Sequence, residues 1–244
     1  MIKKRFLVVS WRYISLSLCI ICLLSCATSG SQIPDPPEYV SWAYLTSLNR
    51  ETPGYAMYTY VLFNRRTILL EESNPDIAET YLSLLKAIEI ASSSEKSDHR
   101  RADERNIFYI PSIDFKKERL LSLDNYNINL SLSYISRFIT VMKTDYEIVE
   151  QFATGPGPFL VSLFSPLQHA VNTSMIYKNN FPIFFVDLSH LPLSSFEEVV
   201  TVYDELFIRK EDTGIRTLES LKSNLGELLP SHLSEFKVLK ASAQ

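Results

Sequence analysis

The sequence predicts an α+β fold in which helices pack on a mixed β-sheet. Short segments rich in aromatic and β-branched residues, which are typical of strands, recur along the chain. Other segments repeat apolar residues at helical spacing. Two runs, Phe159–Phe164 and Ile183–Leu188, are almost continuously apolar, as strands covered on both faces are. We therefore expect the order β-α-β-α-β-β-α-α, with these two strands at the centre of the sheet.

The first half of the predicted domain contains a strand, a helix and a second strand. Tyr55–Phe63 is rich in aromatic and β-branched residues, which predicts the first strand. Asn74 as N-cap and Pro75 at the first helical position predict a helix that continues to about Ala91. The apolar face of this helix consists of Ile77, Tyr81, Leu84, Leu85 and Ile88. The second strand is predicted at Asn106–Ile110.

Residues 124–142 show two competing patterns. Tyr126, Ile128 and Leu130 alternate with polar residues, as in a half-buried strand. A second set of apolar residues is spaced as on one face of a helix: Tyr134, Ile135, Phe138, Ile139 and Met142. We predict a helix, because the Asn and Ser residues between the alternating positions are poor strand formers.

Two helices are predicted near the carboxyl terminus. Ser195 and Glu198 form a capping-box pattern, so a helix should begin at that point. Its buried stripe is predicted to be Phe196, Val199, Val200, Tyr203 and Phe207. The last helix should end before Pro230, with an apolar stripe of Ile215, Leu218, Leu221, Leu225 and Leu228.

The amino terminus has the layout of an export signal. A basic segment with Lys3, Lys4 and Arg5 precedes an apolar stretch, which closes with Leu23-Leu24-Ser25-Cys26. This tetrapeptide resembles the lipobox of bacterial lipoproteins. The resemblance implies that the Cys26 thiol receives a diacylglycerol, that a peptidase cuts before Cys26, and that the new amino terminus is acylated, for example with palmitate. It covers the first 26 residues and implies nothing about the rest of the chain.

Two alternatives remain for this leader. A plain secretory signal has small residues before its cleavage site, and Ala27-Thr28-Ser29 would allow cleavage before Gly30. An uncleaved membrane anchor would use Phe6–Leu24, but Arg12 lies inside that stretch and a charge there is costly. We therefore favour the lipoprotein. In lipoprotein sorting, Ala27 in place of Asp implies export to the outer membrane, provided that the organism has two membranes.

The predicted organisation has three parts. Residues 1–25 are the signal peptide, residues 26–37 a lipidated tether, and residues 38–240 one globular domain. The tether is small, polar and rich in Pro, so it cannot bury enough apolar surface to fold. In an extended conformation it would hold the domain about 30 Å from the bilayer.

Cysteine content and charge exclude several classes of function. Cys19 and Cys22 leave with the leader, so only the lipidated Cys26 remains and no disulfide, Cys nucleophile or thiolate metal site is available. The leader also removes four of the 24 basic residues and none of the 28 acidic ones, which leaves a formal net charge of about −8. This charge disfavours nucleic acid as a partner. The membrane contact should be covalent, through lipid.

Catalytic signals are weak. The sequence has no G-x-S-x-G elbow, phosphate-binding loop, H-E-x-x-H pair or dinucleotide fingerprint, so we predict no metal and no cofactor. Asp187 and His190 follow an apolar strand, where sheets often present functional groups, and His169 is a third candidate. The alternative is that Asp187 caps the backbone at the strand exit while His190 lies in a turn.

The Gly155-Pro156-Gly157-Pro158 segment has two interpretations. It is either a rigid turn that aims the following strand or a ligand-binding rim. For the whole chain we prefer a non-enzymatic envelope lipoprotein that binds or assembles with another envelope component, such as a protein. The alternative is a lipid-anchored envelope hydrolase that uses Asp187 with His190 or His169.

Overall fold

A computed structural model describes residues 42–64, 75–93, 101–114, 122–142, 145–172, 181–206, 208 and 214–241. All of them belong to one compact unit, Glu38–Gln244. The predictions for the leader, the lipobox and the tether lie outside the described residues. So do the predicted N-cap Asn74 and the predicted core residue Phe207.

Six strands and six helices form the described part of the domain. The strands are β1 (Trp42–Leu45), β2 (Met57–Leu62), β3 (Asn106–Pro111), β4 (Phe159–Leu163), β5 (Phe181–Asp187) and β6 (Phe236–Ala241). The helices are α1 (Pro75–Ser93), α2 (Ile128–Val141), α3 (Tyr146–Thr154), α4 (Leu167–Asn172), α5 (Phe196–Glu205) and α6 (Ile215–Leu228). Short 3-10 turns lie at Ala102–Glu104, Leu123–Asn125, Leu193–Ser195 and Pro230–Glu235.

The strands form one mixed sheet in the order β1-β3-β2-β4-β5-β6. β1, β3 and β2 are parallel, and the pairs β2–β4, β4–β5 and β5–β6 are antiparallel. β1, β2, β3 and β5 therefore run in one direction. We call the side where these four strands begin the amino end of the sheet, and the side where they finish the carboxyl end.

Helices cover both faces of the sheet, because alternate residues of the central strands point to opposite faces. On the first face, Met57, Val61 and Phe184 belong to a cluster with residues of α1, α5 and α6. On the second face, Tyr58 and Tyr60 belong to a cluster with residues of α2 and α3. The predicted α+β fold with a mixed sheet and packed helices is thus confirmed.

The two strands predicted at the centre of the sheet, β4 and β5, lie at different distances from its edge. β4 lies beside β2 in the middle of the sheet, whereas β5 lies one strand further out, next to the edge strand β6. Every residue of β4 is buried, as its continuous apolar sequence predicts. The helix predicted within residues 124–142 is confirmed as α2, with Asn127 as its N-cap. Tyr126 lies before this helix and forms an isolated bridge with Ser112.

The structure contains four elements that the predicted order omits: β1, α3, α4 and β6. β1 has only four residues and α4 only six, which is too short for a periodic signal. β6 carries Lys237 and Lys240 among its apolar residues, as edge strands often do. Such charges weaken the strand pattern in the sequence.

Two local predictions near the carboxyl terminus are wrong. Ser195 makes no capping hydrogen bond with its side chain, because it ends a 3-10 turn and already has helical backbone angles. Leu228 is exposed rather than buried, and the neighbouring Leu229 is buried in its place. The helix ends at Leu228, so Leu229 no longer follows helical geometry.

Candidate functional site

Asp187 lies at the carboxyl end of the sheet as the last residue of β5. It is 3% exposed, and its Oδ1 accepts a hydrogen bond from the Ser189 backbone N–H at 2.9 Å. The Ser189 hydroxyl donates to the same oxygen. His190 follows in the turn and is exposed. The carboxylate therefore caps the turn after β5, which is the structural alternative considered for this residue.

His169 lies beyond the opposite end of the β4–β5 strand pair from Asp187. β4 is antiparallel to β5, with Phe159 beside Asp187 and Ser162 beside Phe184, so β4 leads away from Asp187. Helix α4 then begins at Leu167 and carries His169, which is exposed. The strand directions thus present Asp187 and His169 from opposite ends, and a hydrolytic Asp–His pair stays a prediction.

Hydrogen bonds to its backbone carbonyls hold the Gly155–Pro158 segment at the carboxyl end of the sheet. The Tyr81 hydroxyl donates to the Pro156 carbonyl at 2.7 Å, and the Leu188 N–H donates to the Pro158 carbonyl at 2.9 Å. Asn64 Nδ2 donates to the carbonyls of Phe152 and Gly155 at 2.9 and 3.2 Å. The segment is therefore joined to α1, to the residue after β5 and to the second residue after β2.

The local geometry requires glycine at both Gly155 and Gly157 of this segment. Gly157 has φ +73°, a conformation that favours glycine. A Cβ on Gly155 would lie 2.6 Å from the Gln151 carbonyl oxygen. These constraints support the interpretation of the segment as a rigid turn that positions β4.

The sequence did not reveal a buried site in which several tyrosine hydroxyls form hydrogen bonds with one carboxylate and with the backbone. Four phenol rings pack together on the second face, and we call Tyr58, Tyr60, Tyr109 and Tyr134 the tyrosine cluster. The ring centroids of Tyr60 lie 5.2 Å from Tyr134 and 5.8 Å from Tyr109, and those of Tyr58 and Tyr109 lie 6.1 Å apart. These are ordinary contact distances for aromatic pairs, and all four residues are buried.

Glu51 brings a carboxylate into this cluster. It is 4% exposed, and its Oε1 accepts hydrogen bonds from the hydroxyls of Tyr134 at 3.1 Å and Tyr60 at 3.2 Å. The Leu167 N–H donates to the Tyr60 oxygen at 2.8 Å. The second carboxylate oxygen, Oε2, is buried without a hydrogen-bond partner among the described residues.

Glu51 belongs to the crossover segment, residues 46–56, which connects the parallel strands β1 and β2. Other hydroxyls of the cluster bind the backbone of this segment. Tyr109 accepts from the Thr52 N–H at 2.7 Å and donates to the Thr52 carbonyl at 3.1 Å. Tyr58 accepts from the N–H groups of Gly54 and Tyr55 at 3.0 and 3.1 Å. The cluster thus holds a connection that has no helix of its own.

Burial keeps these phenols protonated. Desolvation raises the pKa of Tyr60, Tyr109 and Tyr134 above the ordinary value of 10.0. The charge of Glu51 raises the pKa of Tyr60 and Tyr134 further. At neutral pH the hydroxyls are therefore donors. Because the rings pack against one another and are buried, the cluster is built to stabilise the fold rather than to receive a substrate.

A smaller polar network lies on the first face. The Thr59 hydroxyl donates to Asn106 Oδ1 at 2.7 Å and lies 2.9 Å from Ser162 Oγ. Ser162 Oγ lies 3.4 Å from the Tyr203 hydroxyl oxygen. The network joins β3, β2, β4 and α5 inside the core, and its residues are buried. Its position again indicates a structural role.

The exposed surface carries several large apolar side chains. They are Leu82, Ile90, Ile113, Tyr146, Leu193, Leu228 and Leu233. Among the residues that the structure describes, no three His, Cys, Asp or Glu side chains are grouped as a metal site would require. No helix in the same residues has both the length and the apolar character needed to span a bilayer.

Comparisons of this chain with protein-family models, with curated proteins and with solved structures find no match. The fold and the surface of the molecule, together with its sequence, are therefore the basis for any functional proposal.

Proposed function

We propose that this protein is a bacterial envelope lipoprotein, anchored by lipid on Cys26, that acts as a non-enzymatic binding or assembly module. One observation carries the proposal: Leu23-Leu24-Ser25-Cys26 closes a basic and apolar leader. A diacylglycerol with a further acyl chain holds a protein on a bilayer durably, whereas one chain alone does not. The outer membrane is the proposed location if the organism has two membranes, because Ala27 follows Cys26.

The arrangement of the buried carboxylates supports a non-enzymatic role. Asp187 is engaged by Ser189 in its own turn, and Glu51 is surrounded by packed phenols. The hydrogen-bond donors to both carboxylates are hydroxyl and backbone groups, whereas a hydrolase of the alternative class would need Asp187 within hydrogen-bond reach of a His.

Metabolic labelling with an alkyne fatty acid tests the anchor. The full chain and its Cys26→Ala variant would be expressed in a bacterium with two membranes. We expect the label only on the full chain, together with its recovery in the membrane fraction. Equal labelling of both forms, or no label on either, would exclude lipid on Cys26.

Mild crosslinking followed by purification tests the binding role. We expect one envelope component to be recovered with the anchored protein and lost from the Cys26→Ala variant, since the anchor sets where the domain works. Recovery of no component, together with hydrolysis of an envelope polymer that Asp187→Asn abolishes, would favour the hydrolase.

A further inference from the structure

We infer that the outward stripe of helix α1, formed by Leu82, Lys86 and Ile90, lies on the lipid surface to which the protein is anchored. The inference rests on the proposed lipid on Cys26. It adds to that proposal a second, non-covalent membrane contact and therefore a preferred orientation of the domain.

The three residues share one face of the helix because they follow at intervals of four. Leu82 is 46% exposed and Ile90 is 43% exposed, and Lys86 between them is exposed as well. The opposite side of α1 is buried in the first-face cluster through residues that include Tyr81 and Ile88. Two apolar side chains thus flank Lys86 on the outward face of α1, where the residues of a surface helix are usually polar.

The chain enters the domain beside the end of this helix. Trp42 begins β1, and its indole Nε1 donates to the Ser92 hydroxyl at 3.0 Å. Ile90 lies two residues before Ser92. The last turn of α1 is therefore joined to Trp42, the first described residue of the domain.

The length of chain between Cys26 and β1 favours lipid as the occupant. Residues 27–41, which are the rest of the tether and the four residues before β1, connect Cys26 to Trp42, and a chain of this length spans at most about 50 Å. A lipid on Cys26 would therefore keep the bilayer within about 50 Å of Trp42. Tethering gives a high effective concentration, so a stripe too weak to bind a membrane alone binds it when anchored.

The charges on and near the stripe fit an apolar contact with neutral lipid. The net charge of about −8 after removal of the leader disfavours attraction to an anionic surface. Lys86 can extend its ammonium group to the headgroups while its methylene stem lies along the apolar stripe. Glu79, which is exposed one turn before Leu82, limits the contact to the part of the helix from Leu82 onward, and the partly buried Glu89 borders the contact beside Ile90.

Single-site spin labelling tests this contact on the intact anchored protein. Cys26 is the only cysteine after removal of the leader, and its sulfur would be blocked by lipid, so Ile90→Cys introduces one reactive thiol. Leu228→Cys is a matched control, because Leu228 is 48% exposed at the end of α6. Both proteins would be placed in phosphatidylcholine vesicles, and the collision rates of each nitroxide with oxygen and with a water-soluble nickel chelate would be compared.

We expect the ratio of oxygen to nickel collisions to be several-fold higher at position 90 than at position 228, because apolar oxygen partitions into the acyl region while the water-soluble chelate stays outside it. Equal ratios in protein that floats with the vesicles would overturn the contact and leave the anchor intact. Protein that fails to float would overturn both proposals. A label at position 90 shielded from both reagents would show that protein, either a partner or a second copy, covers α1 instead of lipid.

Discussion

Two carboxylates are buried in the described part of the domain, Glu51 and Asp187, and they are almost equally hidden but hydrogen-bonded in different ways. Asp187 is held by Ser189, two residues further along the chain. Glu51 is held by Tyr60 and Tyr134, which come from a strand and a helix elsewhere in the chain. A short-range carboxylate shapes one turn, whereas a long-range one joins separate elements. We therefore expect their removal to affect stability very differently.

The largest effect in this comparison should come from alkaline pH. The phenols of the tyrosine cluster have a pKa above 10.0 in the folded state, so the unfolded chain loses its protons first as pH rises. The stabilisation is thus fully present below pH 10 and decreases above it. For each such phenol, the free energy of unfolding should fall by about 1.4 kcal/mol per pH unit above the pKa that the phenol has in the unfolded chain.

Urea unfolding at several pH values between 8 and 11.5 measures this dependence. The free energy of unfolding should fall steeply above pH 10, and Tyr60→Phe should reduce the slope. An unchanged slope in Tyr60→Phe would show that this phenol titrates alike in both states.

The next largest effect should come from Glu51→Ala. The change leaves the hydroxyls of Tyr60 and Tyr134 without their common acceptor in the core. We expect a loss of about 2–4 kcal/mol in the free energy of unfolding, since buried unpaired polar groups are costly. Chemical denaturation measures the loss, and Glu51→Gln, which keeps an acceptor oxygen, should lose less. A Glu51→Ala protein as stable as the parent would contradict the role of the carboxylate in holding the crossover segment.

Tyr134→Phe should have an intermediate effect. It removes one of the two donors to Glu51 Oε1 and keeps the ring that packs on Tyr60. We expect a loss of about 1–2 kcal/mol. In combination with Glu51→Ala the two losses should not add, because both changes break the same hydrogen bond. Additive losses would mean that the bond contributes little.

Asp187→Ala should have the smallest effect. The change removes a cap on one turn, for which about 1 kcal/mol is typical of comparable local caps. Asp187→Asn, which retains Oδ1, should be close to neutral. A loss from Asp187→Ala as large as that from Glu51→Ala would remove the distinction between the two carboxylates.

The difference between short-range and long-range contacts also explains which features could be predicted from the sequence. The elements with a continuous pattern, such as β4 and α2, follow from local periodicity. The cap at Asp187 could be considered in advance because its partner is two residues away. The Glu51 site could not, since its partners are 9 and 83 residues distant and only the packing of α2 on the sheet brings them together. Alternating tyrosines at positions 58 and 60 were the one available signal.

The proposed orientation on the membrane depends on a part of the chain that lies before the domain. Intact mass spectrometry of the amino-terminal peptide from the purified protein tests the central claim most directly. The account predicts a terminus at Cys26 that carries a diacylglycerol thioether and an amide-linked acyl chain. A retained leader, or a terminus at Gly30 without lipid, would contradict it.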